Sequence, residues 1–63
     1  MNTILWTEIQ TAEFLTVPVK TLQAWRVRGG GPKFIKLGRS VRYRREDLER
    51  FLDERTMTHT QAK

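Results

Sequence analysis

Sixty-three residues make at most one domain, and with 38% hydrophobic and 30% charged residues the chain can bury only a small core. It has no cysteine and a single histidine, which excludes a disulfide framework and any thiolate or multi-histidine metal centre. The net charge of +5 is unevenly placed: nine Lys and Arg residues from Lys20 to Arg45 have no Asp or Glu among them, whereas residues 1–19 and 46–55 are net acidic, a polarity that points to an anionic partner such as nucleic acid.

Residues 1–5 read as a lead-in with no signal-peptide pattern, and no apolar run is long enough to cross a membrane, so a small soluble domain of the cytoplasm is expected. Trp6 before Thr7 has the form of a hydrophobic staple preceding an N-cap. Thr7 and Gln10 complete a capping box, and Glu8 suits the positive end of the helix dipole. A first helix is expected from about Glu8 to Leu15, packing through Ile9, Ala12 and Leu15. Pro18 disfavours helical geometry at Val17 but is tolerated in a first turn, so a second helix should run from Pro18 or Val19 to about Arg28. Gly29-Gly30-Gly31-Pro32 ends it. Two short helices joined by a turn of this kind make a candidate helix-turn-helix.

Beyond Pro32 the period changes to two: Ile35, Leu37, Val41 and Tyr43 are apolar and Lys36 and Arg42 are charged, the pattern of a β-hairpin. A two-residue turn at Gly38-Arg39 would set Leu37 against Ser40 and Ile35 against Arg42, mixing polar and apolar side chains on one face. A three-residue loop of Gly38-Arg39-Ser40 pairs Leu37 with Val41 and Ile35 with Tyr43, and is preferred. It places Lys36 and Arg42 together on the exposed face and Arg39 at the tip. A last helix is expected from about Arg45 to Glu54 or Arg55, with Leu48, Phe51 and Leu52 facing the core. Residues 1–55 then form one domain of three short helices and a two-stranded wing, and residues 56–63 a mobile tail.

On a wheel of the second helix, Leu22 and Trp25 share the packed side, and Lys20, Gln23, Ala24 and Val27 the far side. Lys20 can reach a phosphate or a guanine edge, Gln23 can pair with adenine, and Ala24 or Val27 can meet a thymine methyl. Thr21 lies at the border, suited to a phosphate or to local backbone. Arg26 and Arg28 flank the face and suit phosphates. Arg26 could equally pair with a carboxylate of the first or last helix. In the wing, Arg39 at the tip suits a narrow minor groove, with Ser40 beside it, and Lys36, Arg42 and Arg44 can follow phosphates.

Other residues carry no such reading. Trp25, Tyr43 and Phe51 fall on apolar stripes and are expected in the core rather than as base-stacking platforms. Gly29 to Gly31 follows a helix and precedes a strand, the reverse of the order that cradles nucleotide phosphates. His59 has no ligand partners, and the scattered carboxylates have no paired nucleophile or base, so neither metal, cofactor nor catalysis is expected.

Over Trp6 to Leu52 the chain resembles the small MerR-like winged helix-turn-helix proteins of excisionase and AlpA type. The resemblance rests on Thr21-Leu22 with Trp25-Arg26, Gly29-Gly30-Gly31-Pro32, Leu37-Gly38-Arg39 and Tyr43-Arg44-Arg45-Glu46-Asp47-Leu48. It implies sequence-specific binding to double-stranded DNA, the second helix in the major groove and the wing in the adjacent minor groove. Excisionases bind repeated sites near an attachment site, bend the DNA, often cooperatively with further copies of themselves, and help an integrase excise a mobile element. AlpA-type relatives control transcription. The chain departs from many relatives in carrying Pro18 where Ser is common and Gln10 where Glu is common. The resemblance implies a bacterial or phage-encoded protein associated with the nucleoid. Outside DNA binding, an adaptor docking an acidic protein is the competing expectation.

Overall fold

A computed structural model describes residues 4–58. The start of the lead-in and most of the expected tail, His59 included, lie outside the described residues. The chain forms β1 (Leu5–Thr7), α1 (Glu8–Leu15), α2 (Val19–Arg28), β2 (Ile35–Leu37), β3 (Ser40–Arg44) and α3 (Arg45–Arg55).

The capping box forms as the sequence predicts: the Gln10 amide donates to Thr7 Oγ1 at 3.1 Å and the Thr7 amide to Gln10 Oε1 at 3.0 Å. At its other end α1 turns through Thr16 at φ 60°, ψ 43°, a left-handed conformation unusual for a β-branched residue. Two bonds close the turn, Thr16 N–H to the Glu13 carbonyl at 3.2 Å and Val17 N–H to that of Ala12 at 3.0 Å. This is the Schellman arrangement. Pro18, extended at φ −65°, ψ 150°, caps α2 without a side-chain bond, and its carbonyl accepts from Thr21 N–H at 3.0 Å.

Two expectations are corrected in the sheet. Leu5, the last residue of the expected lead-in, begins a strand with Trp6 and Thr7: β1 pairs antiparallel with β3 (Leu5 with Arg44, Trp6 with Tyr43, Thr7 with Arg42), so the sheet has three strands in the order β1-β3-β2. Trp6 is thus a sheet residue whose ring meets Phe14 edge-on at 4.7 Å rather than a staple on the first helical turn. The wing closes through the two-residue turn, with Leu37 opposite Ser40, Lys36 opposite Val41 and Ile35 opposite Arg42. Gly38 at φ 63° takes the first central position and Arg39 has no positive φ, as a II′ turn requires. The mixed face that counted against this register costs little. Leu37 is 52% exposed, and Arg42 donates to the carbonyl of Val41 at 2.9 Å instead of facing an apolar wall. Lys36 therefore shares a face with Val41 and Tyr43, and Arg42 lies on the opposite side.

Ala12, Leu22, Tyr43 and Leu48 form the core, with Trp6, Leu15, Val17, Val19, Trp25 and Val41 packed around it. Trp25 meets Phe51 at 5.6 Å. Ile9 and Leu52, expected to face inward, are 61% and 41% exposed. So small a core engages only a narrow stripe of each helix, which on α1 is Thr11 and Ala12 and on α3 is Asp47, Leu48 and Phe51.

Candidate nucleic-acid interface

Leu22 fixes the roll of α2. It is fully buried, so residues on the opposite side of a 3.6-residue helix are turned to solvent. Lys20, Gln23 and Val27 are exposed and Ala24 is half-buried. Val27 is 86% exposed, a branched apolar side chain with no packing role in the fold. Thr21 is half-buried at the border, and Arg28 is exposed at the end of the helix.

Gln23, Arg26 and Val27 of α2 and Phe34, Lys36 and Arg39 of the hairpin line one open groove. The helix face and the wing are therefore parts of one surface. Ser40 is exposed beside Arg39. Arg44 lies at the base of the wing, where it contacts Asp47 Oδ2 at 3.5 Å. Phe34 was not singled out in the sequence, although extending the two-residue period of β2 back by one position would have placed it beside Lys36.

The cations divide into two groups. Lys20, Arg28, Lys33, Lys36, Arg39 and Arg42 have no carboxylate partner among the described residues, and all come from α2, the wing or the loop between them. On α3, Arg45 pairs with Glu49 at 3.1 Å and Arg50 approaches Asp47 at 3.8 Å. Arg55 donates to the carbonyl of Gly30 at 2.7 Å and lies 4.0 Å from the Phe51 ring centroid, tying the end of α3 to the glycine loop. Apart from Arg55, which also has no carboxylate partner, the cations without one thus lie on α2, the wing and the loop between them.

Arg26 differs from its neighbours. Its Nη2 donates to Glu8 Oε1 at 3.0 Å and its Nη1 to the Tyr43 hydroxyl at 2.9 Å, and only 18% of the side chain is exposed. Burial lowers its pKa, but the bonds to Tyr43 and Glu8 outweigh that effect and hold it above the ordinary value. Of the two roles open from the sequence, the structure displays the pairing with a carboxylate of the first helix. The other oxygen of Glu8 accepts from Gln23 Nε2 at 3.4 Å.

A helix-turn-helix whose second helix keeps one face free of the core, beside an arginine-tipped hairpin, defines a winged helix-turn-helix protein. A family model described as a helix-turn-helix domain matches residues 7–56, and the chain belongs to that family, one of small DNA-binding domains. No curated protein and no solved structure matches the chain. Among the described residues no helix is long and apolar enough to cross a membrane.

Proposed function

We propose that the chain is a sequence-specific double-stranded DNA-binding protein of excisionase type, which bends DNA near an attachment site so that an integrase can excise a mobile element. The observation that carries the DNA-binding part is the open groove shared by α2 and the wing, where Lys36 and Arg39 have no carboxylate partner among the described residues, with Lys20, Arg28, Lys33 and Arg42 likewise unpaired on α2, the wing or the loop between them. A ten-residue helix is about 15 Å long, and a major groove about 12 Å wide admits it. Gln23 then reads a base edge, Ala24 and Val27 meet thymine methyls, and Lys20 and Arg28 hold phosphates. Arg39 enters the adjacent minor groove, Lys36 and Arg42 follow its phosphates, and Arg26 acts by placing the helix.

The excision role rests on the resemblance to excisionases, and a helix and wing gripping adjacent grooves of a short duplex suit a protein that deforms it. In this reading the chain has no catalytic group and strand exchange belongs to the integrase. Further copies bind side by side on repeated sites, within a bacterial or phage nucleoid. Footprinting, together with gel mobility of circularly permuted duplexes, tests the proposal. Repeated adjacent sites beside an attachment site, a bend, and stimulation of integrase-mediated excision are expected. A single unbent site at a promoter would replace the excision role with transcriptional control. Affinity independent of both salt and sequence would remove the DNA-binding reading itself.

A further inference from the structure

Glu8 belongs to α1 and is absent from the reading face, yet its carboxylate links the two residues of α2 that matter most for that face. One oxygen accepts from Arg26 Nη2 at 3.0 Å and the other from Gln23 Nε2 at 3.4 Å. Arg26 is held in turn by the Tyr43 hydroxyl, whose ring is 1% exposed in the core. A path of direct contacts therefore runs from the core through Arg26 and Glu8 to the tip of Gln23.

A carboxylate can only accept, so the end of Gln23 that meets Glu8 must be its amide nitrogen. This selects one of the two amide orientations that an exposed glutamine otherwise samples freely. One N–H is engaged by Glu8, leaving Gln23 one free N–H and an unpartnered Oε1 among the described residues. At 3.4 Å the contact is long for a hydrogen bond and suits orientation more than anchorage. One donor beside one acceptor matches adenine, which offers N7 as acceptor and N6–H as donor. Guanine offers two acceptors, O6 and N7, and would need both amide hydrogens or a rotated amide.

We infer that Glu8 is a positioning residue that fixes the amide orientation of Gln23 and thereby sets adenine over guanine at the base this glutamine reads. The inference rests on the DNA-binding reading and deepens it. The same carboxylate neutralises Arg26, so the reading glutamine is held by a locally uncharged cluster while the cations around it remain free for phosphates.

The test measures base preference at every position of the site, by competition among duplex variants, for the wild type, Glu8→Gln, Gln23→Ala and the double variant. Glutamine at position 8 can both accept and donate, so it no longer dictates which end of Gln23 it meets. The expected result is a loss of about tenfold in adenine over guanine at one position in Glu8→Gln, with no further change at that position when the substitution is added to Gln23→Ala. An unaltered preference in Glu8→Gln, or a loss spread over several positions that persists without Gln23, would overturn the inference while leaving DNA binding in place. A wild type that shows no preference at any position would instead overturn the reading beneath it. A measurement on the unmodified protein covers the case in which Glu8→Gln does not fold. Nitrogen-15 relaxation of the Gln23 side-chain amide in the free wild type should show restricted motion, and a freely rotating amide would refute the inference.

Discussion

Arg26 shows how a single basic residue in a basic segment can serve the fold. Its guanidinium meets a carboxylate and a phenol at once through two different nitrogens, and its fixed planar N–H directions hold both partners in one geometry that the rotatable donors of a lysine ammonium would not fix. Arg26→Met should destabilise the protein by about 1–2 kcal/mol in urea unfolding, between the values for exposed and fully buried pairs because Glu8 is 30% exposed. Because the Arg26 pKa is raised on folding, its contribution is fully present below the unfolded value and is lost only as pH rises through the folded one, above the range in which the protein would be used. Thr11 makes the opposite case. It is fully buried, and its hydroxyl has no hydrogen-bond partner. Thr11→Val keeps the shape and removes the unsatisfied oxygen. It should raise stability by about 1 kcal/mol, read as an increase of about 4–8 °C in Tm for a domain of this size.

The connections between elements carry their own constraints. In the turn after α2, Gly31 packs against Trp25 so closely that an added Cβ would lie 2.6 Å from the Trp25 Cβ, an atom fixed to the backbone that cannot rotate aside. Gly31→Ala should therefore cost about 1–3 kcal/mol and shift the Trp25 indole resonance. Gly30→Ala meets open space but must adopt φ 96°, so it should cost about 1–2 kcal/mol in backbone strain and leave that resonance in place. Helix limits were legible in the sequence because local chemistry sets them: the Thr7 and Gln10 box, Pro18, and the glycines before Pro32. Strand β1 was not, since three residues with no turn of their own become a strand only through β3, far along the chain. The wing register was misjudged because alternation chooses a register only where one face is buried. The outer half of this hairpin has no such face. The exposed side of α2 followed from Leu22 and Trp25 alone. The contact of Glu8 with Gln23 depends on how α1 and α2 cross, which no spacing within either helix encodes.

At the scale of the whole molecule, charge is sorted by side. Glu46, Asp53 and Glu54 on α3 form no ion pair among the described residues, while the unpaired cations, Arg55 at the end of α3 excepted, lie on α2, the wing and the loop between them. A field of this kind orients the protein before contact and makes affinity depend steeply on salt. Arg39, exposed at the wing tip and without an ion pair, tests this without disturbing the core. Arg39→Ala should leave Tm unchanged, weaken duplex binding, and reduce the magnitude of the slope of log K against log salt by about 1. Unaltered affinity and slope would mean that the wing tip makes no contact. The bare methyls of Val27 have a wider consequence. Val27, like Lys20 and Gln23, projects from a helix whose place is set by Leu22, Trp25 and Arg26, so these outward positions can be exchanged while the scaffold stays whole. Foldability and surface chemistry are thus written in different letters of the same helix, and on the proposed reading new target sequences can be acquired through surface changes that leave the core intact.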